Sequence, residues 1–494
     1  STNLNETLEF ISVRLDIPVH TYLDDMRSQV QQFCFDGNTH IYHTAALLKC
    51  LKNCNLRTYG YYIKSDNNFN FIYNCINKGE HSFLNFKNYH IYIDKTELLI
   101  YTNQFLNTEH RFICISRPRR FGKTIAADMV AAYYDRTGNA TKIFTDFKIS
   151  KHLSFKKFAN KYTVIKITVS DYIDSTHDIY YLINQIQNDV TSDLLKQFGP
   201  DYSFKNMNDL MSKIYARTNN QFVIVIDEWD CIFREYKSKQ DWQEKYLNFL
   251  RDWFKDKTHI ALVYMTGILP IKKYGTHSAL NMFDEYSMLC ADPFTEFVGF
   301  TEDEVRGLCV QYNLDFDECK KWYDGYQIGD LKSIYNPGAV NQYITTGILQ
   351  SYWNRTENYE ALQIYLTMQN FDLHKTIIEL LANASVRINT SKFNNDMKLF
   401  KTNDDILTLL VHLGYLTFDA KSSSVRIPNN EVAQEFVNSI EDSSWPVLAK
   451  AIENSRNLLS AVLCKDQEAV AKGIEEAHME TSLFKYNNED ALSY

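Results

Sequence analysis

Four short apolar runs constrain this chain more than any other feature: Phe112–Ile115, Val164–Val169, Phe222–Ile226 and Ile260–Met265. Each is dominated by apolar or β-branched residues, as a strand buried on both faces requires, and helical pattern separates each from the next. Strands that recur after helices pair in parallel, so residues 89–300 are expected to form an α/β core around a parallel sheet. One core cannot serve 494 residues at 45% hydrophobic content, and length alone suggests about three domains.

The first run leads into "ICISRPRRFGKTIAADMVAAYY", Ile113 to Tyr134. A phosphate loop has the spacing G-x-x-x-x-G-K-[ST]; Gly122, Lys123 and Thr124 supply its last three positions, and Arg117 stands where the first glycine would be. Strand, turn and helix in that order aim backbone N–H groups at an anion on the helix N-terminus. Pro118 has no N–H to offer. Arg119, Arg120, Phe121, Gly122, Lys123 and Thr124 are the expected phosphate-binding positions.

Further on, "QFVIVIDEWD" is an apolar strand ending in Asp227 and Glu228, the form of a Walker B element. Asp227 with Thr124 is expected to hold Mg²⁺, Lys123 to sit over the β/γ oxygens, and Glu228 to polarise the attacking water. Thr266 ends the strand in "HIALVYMTGILPI", where it is either a turn residue or a γ-phosphate sensor. Arg119, Arg120, Arg234 and Arg251 are all candidates for a transition-state arginine. No N-K-x-D motif follows, which favours ATP over GTP.

Outside the core, residues 1–88 read as a separate α+β segment. "HTAALLKCLKNCNL" places Leu47, Cys50, Leu51 and Cys54 on one helical face, and "YGYYIKSDNNFNFIYN" alternates around an Asp-Asn-Asn turn as a hairpin does. A zinc site from His40, His43, Cys50 and Cys54 is the alternative use of those cysteines; the core face is preferred. Helical pattern dominates 301–395. "DDILTLLVHLGYLTFDAKSSSVRIPNNEV" then gives helix, Gly414, strand, Ser-rich turn and strand, a winged-helix-like order over 396–445, followed by a helical segment at 446–494.

A formal net charge of −9 excludes a generally basic coat for nucleic acid. Any DNA contact must be local, and the candidates are the winged helix or "FKISKHLSFKKFANKY", with Lys148, Lys151, Lys156, Lys157 and Lys161 among aromatics; a solvated amphipathic helix is the plainer reading. Ten cysteines without a C-x-x-C pair read as free thiols in a reducing compartment. No apolar run approaches the ~20 residues of a membrane span, so an intracellular chain, cytoplasmic or nuclear in a eukaryotic host, is expected.

The blocks "YIDKTELL", "SRPRRFGKT", "VIVIDEWD", "YMTGILPI", "EFVGFTEDEV", "WYDGYQIGD", "SIYNPGAV", "ILTLLVHLGYLTF" and "VRIPNNEV" resemble the ordered signatures of the AAA-ATPase-like family of bacteria, viruses and some eukaryotes, from about residue 89 onward. The resemblance makes Arg117 a normal feature of the loop, assigns Lys123, Thr124, Asp227 and Glu228 to a nucleotide site, and implies that "WYDGYQIGD" belongs to a helical lid over the core, residues 301–395. Family members commonly continue into a PD-(D/E)XK nuclease-like domain; this sequence stops about where that domain would begin, so nuclease activity is not expected of it. The implied function is an ATP-hydrolysing switch in mobile-element, host-conflict or DNA-handling processes. The alternative is a nucleotide-stabilised scaffold with little turnover that recognises DNA, a protein or its own kind.

Overall fold

The computed structural model describes residues 62–65, 68–71, 78–87, 91–173, 178–271, 280–289, 293–353, 371–393, 402–441, 454, 457–459 and 461–475. His40, His43, Cys50 and Cys54 lie outside them, as does the helix expected at Leu47–Cys54. The chain divides into two compact units, Ser1–Ile76 with Asp189–Ser203 and the remainder. In the first, β1 (Tyr62–Ser65) pairs antiparallel with β2 (Asn68–Phe71), Ser65 opposite Asn68, the hairpin read from the alternating aromatics.

The second unit opens with α1 (Lys78–Lys87) and α2 (Leu98–Phe105), then β3 (Phe112–Ser116), α3 (Lys123–Tyr134), β4 (Thr163–Thr168), α4 (Met207–Thr218), β5 (Phe222–Asp227), α5 (Cys231–Glu235), α6 (Gln240–Phe254), β6 (Ile260–Gly267) and β7 (Asp284–Tyr286). The five strands form a parallel sheet in the order β4-β5-β6-β3-β7. All four apolar runs are strands, and β3, β5 and β6 are buried along their whole length. This is the P-loop α/β fold that the strand-and-helix alternation predicts.

Register decides where the chemistry falls. Ser116 pairs with Gly267, Ile115 with Thr266 and Thr168 with Asp227, so the C-terminal ends of four strands share one edge of the sheet. In open α/β sheets that edge is where ligands bind. Helix α3 rises from it and is anchored below by a buried ion pair between Asp128 and Lys166 of β4. On its other flank α1 comes so close that a side chain at Gly79 would collide with Ala131.

The region read as a helical lid is not helical throughout. It contains β8 (Phe300–Thr301), α7 (Glu302–Tyr312), α8 (Phe316–Tyr323), β9 (Tyr326–Ile328), β10 (Leu331–Tyr335) and α9 (Pro337–Thr346), with the strands in a small antiparallel sheet, β8-β10-β9. Strands of two to five residues are too short to show a period in sequence. The helices themselves are signalled locally: Thr301 and Glu304 make a reciprocal cap on α7, and Asn336 caps α9 with Pro337 at its first turn.

The last module has β11 (Val386–Arg387), α10 (Asn403–Leu413), β12 (Thr417–Asp419), β13 (Ser424–Arg426) and α11 (Asn430–Glu441). Helix, glycine, strand, turn and strand occur as read from sequence, and β11 adds a third strand. The lid and this module meet through two blocks far apart in sequence. Asn429 donates to Asp324 O at 2.7 Å, Arg426 to Gly325 O at 3.1 Å, and the Gln327 N–H to Thr417 Oγ1 at 2.7 Å. "WYDGYQIGD" and "VRIPNNEV" are therefore the two halves of one joint. Among the described residues, no helix is long and apolar enough to cross a membrane.

Candidate functional site

The loop between β3 and α3 is fastened at almost every residue. Arg117 is fully buried and its Nη1 donates to Ser116 O and Tyr286 O, both at 3.0 Å, bracing the loop against β7. Pro118 lies against Gly414, where an added Cβ would stand 2.7 Å from the proline ring. Arg120 has φ 64, an unusual backbone for a residue with a side chain. Two contacts hold it there: the Gly338 N–H donates to its carbonyl at 3.1 Å, and its Nη1 donates to Tyr352 O at 2.9 Å. Phe121 is buried edge-on to Tyr326 at 5.2 Å. Gly122, φ 89, caps α3 in the left-handed region that glycine adopts at no steric cost.

Lys123 and Thr124 follow at the first turn of α3. Lys123 is buried, and its Nζ donates to Pro118 O at 2.7 Å. Burial pulls its ammonium down to about 8, against the opposing pull of Asp227 and Asp230. Thr124 is exposed and lines the cleft.

The acid side is built from β5 and the turn after it. Asp227 is buried and accepts from the Thr266 hydroxyl and from the Glu228 N–H at 3.1 Å. Glu228, at φ 53, turns out of the strand line and leaves its side chain 41% exposed. Asp230 is fully buried and accepts from the N–H groups of Ile268 at 3.1 Å and Leu269 at 2.9 Å. Arg234, one turn of α5 later, lies 3.3 Å from Asp230 through Nε and 3.8 Å from Glu228 through Nη2.

Loop and acid side face each other across a cleft of about 640 Å³ lined by Arg119, Lys123, Thr124, Glu228, Arg234 and Gly338, among others. Beside it is an apolar pocket of about 320 Å³, walled by Ile91, Ile93, Met129, Phe297 and Phe300. Gly122, Ile125, Pro337 and Asn341 border both spaces. A charged cleft that opens into an apolar one suits a ligand with an anionic end and a flat, weakly polar end.

The sequence-derived positions divide. Lys123, Thr124 and Glu228 line the cleft, and Asp227 is buried directly behind it. Thr266 is buried and its hydroxyl is directed at Asp227, so it meets the cleft only through that carboxylate. Arg119 and Arg120 border the cleft, and Arg120's guanidinium is engaged with Tyr352 O. Arg251 lies on α6 beside Asp252, half-buried. Asp230 and the apolar pocket carried no sequence signal, since their meaning depends on which chain segments meet.

The lysine patch is less available to nucleic acid than its sequence suggests. Lys148 is paired with Glu97 at 2.8 Å, Phe155 is buried against Tyr133, and Phe158 is half-buried beneath Lys157. Lys151, Lys156, Lys157 and Lys161 are exposed. Phe155 is thus lost to stacking and Phe158 is partly covered, so charge dominates what the patch leaves at the surface.

Comparison with known proteins finds an uncharacterized protein in the vnfD 5′ region of Azotobacter chroococcum mcd 1, 22% identical over 272 residues, which are 54% of this chain and 50% of that protein. The chain thus spans about half the length of this curated relative. Among solved structures, the Aeropyrum pernix ORC2 protein in its ADPNP-ADP complexes aligns at 10% identity, TM-score 0.31, over 74% of this chain and 99% of that one. The Aeropyrum pernix ORC1 protein in complex with DNA aligns at 11%, TM-score 0.28, over 76% and 99%. The C. elegans PCH-2 structure aligns at 13%, TM-score 0.22, over 47% and 49%. Residues 79–276, which hold the loop and the acid strand, match the family described as AAA-ATPase-like, a predicted AAA-ATPase.

Proposed function

We propose that the cleft binds ATP and hydrolyses it. The observation that carries this reading is the convergence of Lys123, Thr124, Asp227 and Glu228 on one edge of the parallel sheet, with an apolar pocket next to them. The triphosphate lies on the backbone N–H groups from Arg119 to Thr124, with the Lys123 ammonium over its β/γ oxygens. The base enters the pocket between α3 and the lid, where Met129 and Phe297 offer apolar faces and Asn341 stands at the junction.

Thr124 and Asp227 are oxygen donors of the kind Mg²⁺ takes alongside phosphate and water, so the donor set fits that ion. When bound, Mg²⁺ neutralises charge on the phosphates. Thr266 orients Asp227 through its hydroxyl. Glu228 is the base. It takes a proton from water as the water oxygen bonds to the γ-phosphorus, and the bond from that phosphorus to the bridging oxygen breaks to leave ADP and phosphate.

A second reading has one observation in its favour. The loop is gripped by the C-terminal module through Gly414 on Pro118 and by the lid through Arg120 on Tyr352, so nucleotide held there stabilises both whether or not it is cleaved. In that case the chain is a nucleotide-stabilised scaffold, and the work is partner recognition. A DNA partner would meet the exposed lysines Lys151 to Lys161 or the winged-helix-like module, bound through phosphates and weakened by salt. DNA handling, host conflict and mobile-element functions are all compatible with such a switch.

The test is ATP binding by the full chain with and without Lys123→Ala, beside turnover in Mg²⁺. The reading expects wild type to bind and hydrolyse ATP, and Lys123→Ala to lose at least about tenfold in affinity through loss of the counter-ion. Binding that is unchanged by Lys123→Ala would contradict it.

A further inference from the structure

Glu228 poses a problem that its own strand does not solve. Its backbone has left the β5 line at φ 53 and its side chain is 41% exposed, so neither sheet packing nor burial fixes the carboxylate. A base acts only when it is held within reach of the proton it takes. Something must aim it.

We infer that Arg234 is the positioning residue for Glu228, held in turn by the buried carboxylate of Asp230. This rests on Glu228 being the base of the ATPase reading. The support runs in one direction. The backbone N–H groups of Ile268 and Leu269, just past the end of β6, fix Asp230. Asp230 lies 3.3 Å from Arg234 Nε, four residues on in α5, where the guanidinium is only 13% exposed. Arg234 Nη2 then stands 3.8 Å from Glu228 Oε2.

That last separation is an ion pair longer than a hydrogen bond. It orients the carboxylate by charge and leaves its oxygens able to accept from water. The same guanidinium lines the cleft, so the tether is set where the base must act.

A cycle of variants in the full chain separates positioning from folding and from phosphate binding. Arg234→Gln should lower kcat by about 10- to 100-fold with ATP affinity within about threefold of wild type. Arg234→Lys should recover most of that loss, because a cation is restored. In a Glu228→Gln background, adding Arg234→Gln should change the single-turnover rate by less than about threefold, since the residue it positions is already gone. Asp230→Asn with Arg234→Gln removes the buried pair together, and should repeat the Arg234→Gln kinetics if the single variant proves unstable. Arg251→Gln should behave as wild type.

Wild-type kcat in Arg234→Gln, or a loss of ATP affinity matching the loss of kcat, overturns the positioning role and leaves the ATPase reading intact. So do independent, multiplying effects of the Arg234 and Glu228 changes. Wild-type turnover in Glu228→Gln overturns both.

Discussion

The two sides of the cleft are assembled over different ranges of sequence. The acid side is local: Asp227 and Asp230 find Thr266, Ile268 and Leu269 no more than 39 residues away, and Arg234 lies on the helix that follows. The loop is not local. Its partners are Tyr286, 169 residues beyond Arg117, Asn336, 217 beyond Arg119, and Tyr352, 232 beyond Arg120. The acid side is therefore a property of two adjacent strands, while the shape of the loop is a property of β7, the lid and, through Gly414 on Pro118, the last module.

That difference has a functional consequence. Changes far from the cleft should reach nucleotide affinity through the loop, whereas turnover should answer to the acid side. Gly414→Val tests the first half. Gly414 has φ 89 and lies on Pro118, so a β-branched side chain there meets both a forbidden backbone and the proline ring. The expected cost is on the order of 3 kcal/mol or more, read from denaturant midpoints. ATP affinity should fall with it at temperatures where the chain stays folded. Unchanged affinity in a folded Gly414→Val protein would break the proposed link between module and loop.

A second effect tests the same link through pH. Glu431 in α11 is buried, accepts from the Tyr352 N–H at 2.9 Å and borders a small cavity with Arg120. Desolvation, with the nearby Glu435 carboxylate, raises its carboxyl from 4.5 to about 8, against the pull of that N–H and of Arg120. Folding thus takes up a proton between those values. The contribution is fully present below about pH 4.5 and is lost as pH rises through about 8, with a slope of at most about 1.4 kcal/mol per pH unit for one proton. Glu431→Gln should flatten this part of the stability profile. An unaltered slope between pH 5 and 8 would place the titration elsewhere.

The range of each contact also explains what the sequence made legible. Lys123, Thr124, Asp227 and Glu228 could be read because loop and acid strand each carry their chemistry in a few consecutive residues whose flanks declare a buried strand. The four core strands were legible for the same reason. Strand β7, Asp-Glu-Tyr, was not: it is half-buried at the sheet edge and has no apolar run. The lid's sheet was hidden by strands too short for a period. The apolar pocket draws on α1, the segment before α2, helix α3 and the lid, and no one of those stretches points to it alone. Thr266 shows a subtler limit. Its place at the strand end was visible, but the direction of its hydroxyl, toward Asp227, depends on the register of β5 with β6.

The central claim is that the loop binds and the acid side cleaves. Glu228→Gln separates the two most directly, since it keeps the shape of the side chain and removes the base. Incubated with ATP and Mg²⁺, separated from free nucleotide and then denatured, the variant should release intact ATP at near-stoichiometric amounts, while wild type releases ADP. Recovery of ADP from Glu228→Gln at the wild-type rate would contradict the account.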